Sequence, residues 1–312
     1  MKKSAWFCLI GILCLSLGHF PAQAQSAIQV SEDRIVLDIP EKITFQLSVA
    51  SSAEIQSVEL RYGTAQRSCQ DSIAARRMDF QPGQSVELEW RVEFAELGAL
   101  LPGQRLWWQW TVRDAAGNTL TTPRKEQTLQ DQRYEWQSTT NGPLTVEWIE
   151  GNRSFGQQLA TLAANALKKL QRDTGAPGLG PYLLVIYPDD TSLREALVQS
   201  SQWAGGVAIT GENLILLGIA PEWMDWAEEA VPHEMTHLIV DDLTFNCEGV
   251  TLPTWLEEGL AMHTEGPLTS FERNAVLQAL EEGTRAPLPT KDDYFSAYGE
   301  QANLDYRYSQ LI

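Results

Sequence analysis

Between residues 27 and 129, apolar and polar positions alternate along the chain. From Val86 to Phe94, every even-numbered residue is apolar and every odd-numbered one is charged. The same period of two recurs from Ile43 to Val49 and from Leu106 to Val112, and Pro-Gly and Gly-Asn turn signals separate the runs. This period is typical of a β-strand with one buried and one solvent-exposed face. The pattern therefore predicts an all-β domain.

The number of these runs suggests how the strands are arranged. Roughly seven short strands in about 100 residues predict an immunoglobulin/fibronectin-like β-sandwich over residues 25–130. Trp107, Trp108 and Trp110 lie in one of the strands, and the segment contains no His. Alternating tryptophans fill a sandwich core, and the alternative is that they line a groove for carbohydrate or peptide. The sequence does not identify a partner for this domain.

The pattern changes after a polar segment at residues 131–143, which is predicted to be a linker. A long helix is predicted over residues 155–170, because apolar residues recur there with a helical period, and Ser154 with Gln157 matches a capping box. Short strands are predicted at 182–187, 205–208 and 214–217, and helices follow. Strands early and helices late predict an α+β domain over residues 144–312. The apolar run from 304 to 312 stops abruptly, which suggests that the domain is truncated at its C-terminus.

The first 24 residues have the three parts of an export signal. Lys2 and Lys3 precede a short apolar run, and Ala22-Gln23-Ala24 forms a small-x-small end. A cut after Ala24 is predicted, so the protein would be secreted or located at the cell surface or in the periplasm. An uncleaved anchor is the alternative.

Charge and cysteine content exclude several classes of protein. The chain has 23 Lys and Arg against 41 Asp and Glu, a net charge of −18. Such an excess of negative charge argues against nucleic acid and against anionic membrane surfaces as partners. After signal cleavage only Cys69 and Cys247 would remain, which excludes a disulfide framework and favours two buried thiols over a single bridge between domains.

One segment carries the pattern of a metal site. His233 and His237 are four residues apart, so on a helix both imidazoles project on the same side and can reach one tetrahedral zinc ion. Glu234 lies about 100° around the helix from His233, where it can contact a water molecule without binding the metal. Pro232 is predicted in the first helical turn, where its missing N–H costs nothing. The segment is a His-Glu-x-x-His motif and predicts one Zn2+ per chain.

A catalytic zinc site needs a third protein ligand. The segment that starts at Pro253 is predicted to begin a second helix, which contains Glu257 and Glu258. Adjacent helical residues point about 100° apart, so only one of these carboxylates can face the metal. The spacing does not decide between them.

The His-Glu-x-x-His segment and the later Trp255-Leu256-Glu257-Glu258-Gly259-Leu260-Ala261 segment together resemble the gluzincin clan of zinc metallopeptidases. The similarity is greatest to the peptidase MA-like group, with aminopeptidase N-like and thermolysin-like enzymes as distant relatives. It extends over residues 144–312. The resemblance implies that Glu258, which directly precedes the Gly, is the third ligand. It also implies that Glu234 is the general base and that the substrate is a peptide or protein.

The resemblance also implies a tyrosine after the third ligand that stabilises the oxyanion. Tyr308 fits best, although the Lys-Gly that follows this Tyr in aminopeptidase N-like enzymes is missing. Tyr306, Tyr298 and His263 are alternatives, and a packing role for Tyr308 is another.

Two glycines mark a candidate substrate strand ahead of the motif. Gly205, Gly206 and Val207 belong to a short run in which glycine allows another backbone to approach closely. The resemblance implies that a substrate pairs with this sheet edge by strand addition. A simple β-bulge is the alternative.

These observations predict an exported zinc metallopeptidase, with an endopeptidase favoured over an aminopeptidase. The Gly-x-Met-Glu-Asn stretch with which aminopeptidases hold a free amine is not found in the sequence. The alternative from another class is a non-catalytic cell-surface binding module with a degenerate peptidase-like domain. The intact Glu234 argues against it, because that carboxylate neither binds the metal nor fills a core.

Overall fold

The computed structural model describes most of the chain as a sheet-rich N-terminal part followed by a region of strands and helices. The predicted export signal, Cys69, Cys247 and Tyr298 lie outside the described residues. The structure describes residues 27–65, 67, 73–97, 100–176, 180–197, 205–245, 252–283 and 306–311.

In the described N-terminal part, seven strands are hydrogen-bonded into one sheet. The strands are β1 (Ile28–Asp38), β2 (Lys42–Thr64), β3 (Ala74–Arg77), β4 (Gly83–Glu93), β5 (Arg105–Asp114), β6 (Thr119–Thr121) and β7 (Lys125–Thr128). Strand β2 is the centre of the sheet. Its first half pairs with β1 and β4, and its second half pairs with β3 and β5. The register shifts between these halves, from Ala50 to Ile55.

The two halves of β2 pack against each other. The ring of Phe45, in the first half, lies 5.6 Å from that of Tyr62, in the second half, and Trp90 lies 5.4 Å from both. One bent strand thus lines both sides of the core. The predicted immunoglobulin-like sandwich is not confirmed, since the seven strands form one hydrogen-bonded sheet. Alternation along a sequence does not reveal that a 23-residue strand bends and continues.

Two of the three tryptophans of β5 are part of this core. Trp108 and Trp110 are buried, and their indole N–H groups donate to Asp33 at 2.8 and 3.1 Å. Trp107 is also buried and contacts the guanidinium of Arg124 at 4.2 Å. The prediction that tryptophans pack into the core is confirmed for Trp108 and Trp110.

The second sheet has five strands in the order β11-β12-β10-β9-β8. Its strands are β8 (Gln137–Asn141), β9 (Leu144–Trp148), β10 (Tyr182–Tyr187), β11 (Gly206–Ile209) and β12 (Leu214–Gly218). The three central strands are parallel, and β8 and β11 are antiparallel to their neighbours. Strand β8 occupies part of the segment 131–143 that was predicted as a linker, so that part belongs to the second sheet.

Helices cover both faces of the second sheet. The helices are α1 (Arg153–Thr174), α2 (Asp190–Ala196), α3 (Met224–Thr244), α4 (Thr254–Glu265) and α5 (Ser270–Glu281), and residues 306–311 are also helical. Helices α1 and α3 pack on one face, and α2 packs on the other with Leu101 of the N-terminal part. Within the described part of the chain, no helix has the length and apolar character needed to cross a membrane.

The N-cap of helix α1 lies two residues before the predicted one. Asn152 is the N-cap, and its side chain accepts a hydrogen bond from the N–H of Phe155 at 3.1 Å. The predicted capping box of Ser154 and Gln157 is therefore wrong. Asn and Ser are equally good N-caps, so the local pattern offered two starting points.

Candidate metal centre

Helix α3 carries the histidine motif in its middle. One side of the helix, with Val231, Met235 and Leu238, is buried against the second sheet. His233 and His237 lie on another side, with 17% and 13% of their side-chain surfaces exposed. Burial on the sheet therefore leaves the two imidazoles on the side of α3 that faces the glutamates of α4.

Pro232 does not lie in the first turn of this helix, as the sequence predicted. Helix α3 begins at Met224, eight residues earlier. A proline inside a helix removes one main-chain hydrogen bond. The apolar contacts of Ala227 and Val231, both fully buried, favour continuing the helix through this position.

Helix α4 is fixed against α3 by two threonines next to the motif. The hydroxyls of Thr236 on α3 and Thr264 on α4 are 2.7 Å apart. The carbonyl oxygen of Pro232 lies within hydrogen-bond distance of both hydroxyls, at 2.8 and 3.2 Å. This contact sets the separation of the two helices beside the imidazoles.

The two helices bring the three predicted ligands together. Oε2 of Glu258 lies 3.5 Å from Nε2 of His233 and 3.8 Å from Nε2 of His237. One ligand atom from each of the three residues lies within 4.8 Å of the others. In a tetrahedral site with bonds of about 2.0–2.1 Å, ligand atoms are about 3.3 Å apart. The donor types and their separations therefore fit a zinc ion.

The other nitrogen of each imidazole faces a second carboxylate. Nδ1 of His233 is 2.7 Å from Oε1 of Glu265, and Nδ1 of His237 is 3.5 Å from Oε1 of Glu257. Both rings consequently turn Nε2 toward Glu258. This geometry separates the two carboxylates that spacing did not distinguish: Glu258 faces both Nε2 atoms, and Glu257 lies on the Nδ1 side of His237.

Glu265 is a site residue that the sequence interpretation missed. It follows Glu258 by seven residues, nearly two helical turns, so both side chains lie on the same side of α4. This spacing was visible in the sequence. Glu265 is itself held by Arg307, whose guanidinium lies 3.7 Å from Glu265 and 3.0 Å from Glu272 of α5.

The charges of the site perturb its titrating groups. Burial lowers the pKa of His233, but hydrogen bonds to Glu258 and Glu265 outweigh this effect and raise the pKa to about 10. The pKa of His237 is also raised, because Glu257 and Glu258 outweigh the opposing effect of burial. Protons on the two imidazoles are therefore favoured by the surrounding carboxylates, and a divalent cation bound at the same position would replace those protons.

Glu234 lies between the helix and the edge of the second sheet. Burial raises its pKa, and the nearby imidazoles oppose the shift. Its carboxylate accepts a hydrogen bond from the backbone N–H of Ala208 in β11. A Cβ atom built on Gly206 would lie only 3.0 Å from Oε1 of Glu234, so glycine lets the strand pass close to this carboxylate.

The pairing of β11 decides which of its backbone groups face Glu234. The N–H of Gly218 donates to the carbonyl of Gly205 at 2.8 Å. In an antiparallel pair, alternate residues direct their N–H and C=O to the same side. Gly205 and Val207 therefore face β12, whereas Gly206 and Ala208 face outward. Of the three predicted substrate-binding residues, only Gly206 presents its backbone on the Glu234 side. The sequence did not point to Ala208 as a partner of Glu234, because the register of a strand is not visible in its own sequence.

Tyr308 lies in the helical segment 306–311 and is almost fully buried. This segment packs on α4 beside Glu258: a Cβ atom on Gly259 would lie 2.5 Å from the carbonyl oxygen of Ser309. Of the alternatives to Tyr308, His263 is exposed. The role of Tyr308 in stabilising an oxyanion stays a prediction.

A protein-family model matches the part of the chain that contains the candidate metal site. Residues 162–312 match the model of the Peptidase MA superfamily. The resemblance to a peptidase MA-like group is thus confirmed over this region, which contains all of the residues of the metal site. Among curated proteins, none matches the sequence.

Solved structures are similar to this chain only at a distance. One match is the crystal structure of wild type OgpA from Akkermansia muciniphila, with 9% sequence identity and a TM-score of 0.28. The aligned region covers 35% of the present chain and 29% of the OgpA chain. The crystal structure of BC0361, a polysaccharide deacetylase from Bacillus cereus, is 9% identical with coverages of 82% and 86% and a TM-score of 0.25. The present chain spans less than a third of the OgpA chain. At these TM-scores, neither similarity supports an argument about fold or function.

Proposed function

Since residues 162–312 match the Peptidase MA superfamily, we propose that this protein is a zinc metallopeptidase that cleaves within peptide chains. His233, His237 and Glu258 hold one Zn2+, and Glu234 is the general base. The observation that carries the proposal is the convergence of two Nε2 atoms and one carboxylate oxygen beside Glu234, a partly buried glutamate that is not one of the three converging residues. Export with a cut after Ala24 stays a prediction.

The site residues divide the work of hydrolysis. When bound, zinc supplies a Lewis acid that lowers the pKa of a water ligand to about 7 and polarises the substrate carbonyl. Glu234 takes the proton from the attacking water and gives it to the leaving amine. In the metal-free site, burial raises the pKa of Glu234, and a carboxylate that both takes and returns a proton works best when its pKa is closer to the working pH.

Strand β11 is the proposed docking edge for the substrate. The N–H of Ala208 donates to Glu234, so the outward groups left for an extended peptide to pair with by strand addition are those of Gly206 and the carbonyl of Ala208. A strand edge can be paired by a chain that continues on both sides of the cleaved bond, which favours an endopeptidase. An aminopeptidase would instead cleave only from free N-termini.

Removal of the metal tests the proposal directly. Purified protein is expected to contain about one zinc per chain and to hydrolyse a casein-type substrate. Dialysis against a chelator should abolish hydrolysis, and added Zn2+ should restore it, because the general base has no activated water without the ion. Analysis of product ends would distinguish internal cleavage from stepwise release of N-terminal residues. Full activity of protein shown to be zinc-free would contradict the proposal, and metal-replete protein without any hydrolysis would favour the non-catalytic module.

The glycine beside Glu234 offers a test of the docking edge. In Gly206→Ala, the new methyl would lie 2.4 Å from Cδ2 of Leu217 and 3.0 Å from Oε1 of Glu234. Leu217 can shift a methyl group, but pressure on Glu234 displaces the base, so kcat/KM is expected to fall by about tenfold or more with unchanged zinc content. Gly83→Ala is the control, since its methyl meets only an oxygen of Ser85 at 3.6 Å. Equal activity of both variants would argue against close passage of the strand.

A further inference from the structure

Residues of the N-terminal part form hydrogen bonds to the turn between β11 and β12. The side-chain amide of Gln104 donates to Oε1 of Glu212 at 2.9 Å, and Thr64 also hydrogen-bonds this carboxylate. The backbone N–H of Arg67 donates to the carbonyl of Gly211 at 2.8 Å. The tip of the proposed substrate hairpin is therefore docked on the other part of the molecule.

The side chain of Arg67 continues from this turn to the end of helix α3. Its Nη2 donates to Oδ2 of Asp241 at 2.5 Å, and its Nη1 donates to Oδ1 of Asp242 at 3.1 Å. The guanidinium also lies 4.3 Å from the centre of the Phe245 ring. Only 30% of the Arg67 side chain is exposed, and 1% of that of Asp242. A two-pronged, partly buried ion pair of this kind holds its partners more firmly than a surface pair.

One carboxylate oxygen joins the hairpin and the helix. Oδ2 of Asp241 accepts from both Arg67 and the backbone N–H of Gly211, the latter at 3.0 Å. The other oxygen of Asp242 accepts from the hydroxyl of Tyr182 in β10 at 3.1 Å. The network thus ties the turn, the helix end and the central strand together.

This network lies close to the catalytic groups at both of its ends. Asp241 follows His237 by four residues, which is one turn of α3. Gly211 follows Ala208 by three residues, and Ala208 donates its N–H to Glu234. A shift of the hairpin relative to the helix would therefore move the substrate edge relative to the general base.

We propose that Arg67 is a positioning residue of the peptidase site: it fixes the β11–β12 hairpin against helix α3, so that the N-terminal sheet is part of the catalytic unit. The substrate consequence rests on the proposed function. The structural consequence, a hairpin held in place from the N-terminal sheet, does not depend on it.

Hydrogen exchange of Arg67→Met in the full chain tests the structural part. Amides of residues 206–212 are expected to exchange at least about tenfold faster than in wild type, whereas those of α4 are unchanged, because methionine keeps the apolar stem but loses both ion pairs. Arg133→Met is the matched control: its guanidinium is similarly exposed, at 33%, and pairs with the buried Asp131. Unchanged exchange at 206–212 in Arg67→Met would overturn the proposal.

Activity and metal affinity test the catalytic part. For Arg67→Met, kcat/KM is expected to fall about tenfold or more while zinc affinity stays within about twofold, since all three ligands are on α3 and α4. Arg67→Lys should recover part of the loss. A parallel loss of zinc affinity, or an equal loss of kcat/KM in Arg133→Met, would indicate general destabilisation and overturn the positioning role.

Two outcomes keep this claim separate from the proposed function. If wild type hydrolyses nothing, the proposed function fails, and hydrogen exchange still decides whether Arg67 holds the hairpin. If Arg67→Met does not fold, Asp241→Ala removes both carboxylate oxygens, including the one that joins the two elements, and is expected to give the same faster exchange at 206–212.

Discussion

Glu234→Gln is expected to lower kcat for peptide hydrolysis by about 100- to 10,000-fold, the range lost with a general base. Zinc content should stay at about one per chain, because Glu234 is not among the three side chains that converge on the metal position. The amide keeps the size of the carboxylate and can occupy the same space beside Gly206 and Ala208, but it cannot accept a proton. Metal analysis and hydrolysis measured on the same preparation check this result.

Glu229→Gln is the matched control for this variant. It makes the same chemical change on an exposed position of the same helix and should leave kcat and zinc content as in wild type. Equal hydrolysis by wild type and Glu234→Gln would refute the assignment of the base. Loss of zinc from Glu234→Gln would instead indicate that this carboxylate holds the site together.

Glu258→Gln is expected to weaken zinc binding by more than about 100-fold and to abolish hydrolysis at limiting zinc. Loss of a residue that only orients a ligand typically costs 10- to 100-fold in affinity, so loss of a direct ligand should cost more. Its carboxylate oxygen is the atom that lies near Nε2 of both His233 and His237. Competition with a chromophoric chelator measures the affinity.

The neighbouring carboxylates provide graded controls. Glu265→Gln should weaken zinc binding by about 10- to 100-fold, because Glu265 orients His233 through Nδ1 at 2.7 Å. Glu257→Gln should weaken it by less than about tenfold, since its carboxylate is 3.5 Å from His237 and 35% exposed. A larger effect of Glu257→Gln than of Glu258→Gln would show that the other glutamate is the ligand.

The chemistry of the site could largely be predicted, because its residues occur in two short segments. The spacing of His233 and His237 places both rings on one side of any helix that contains them. The spacing of Glu257 and Glu258 showed only that one of the two can face the metal, and the resemblance to gluzincins pointed to Glu258. Glu265 could have been found by the same helical arithmetic, because it lies nearly two turns after Glu258.

Other features depended on contacts that no local pattern contains. Pro232 lies inside α3, because burial of the preceding turns lets the helix begin at Met224, well before the proline that the sequence suggested as its first turn. The backbone of Val207 faces β12, whereas Ala208 faces Glu234, because pairing with β12 sets the direction of each group. The bend of β2 likewise follows from packing between its own two halves.

The sequence by itself predicted the two histidine donors, the glutamate between them and the period of the elements that carry them, because these depend on positions within one helix or one strand. Only the tertiary structure decided the distance between α3 and α4, the orientation of β11 and the contact of Arg67 with Asp241. Each of these joins residues that are far apart in the chain. Their geometry results from the packing of whole elements, and packing is a property of the folded molecule rather than of any one segment.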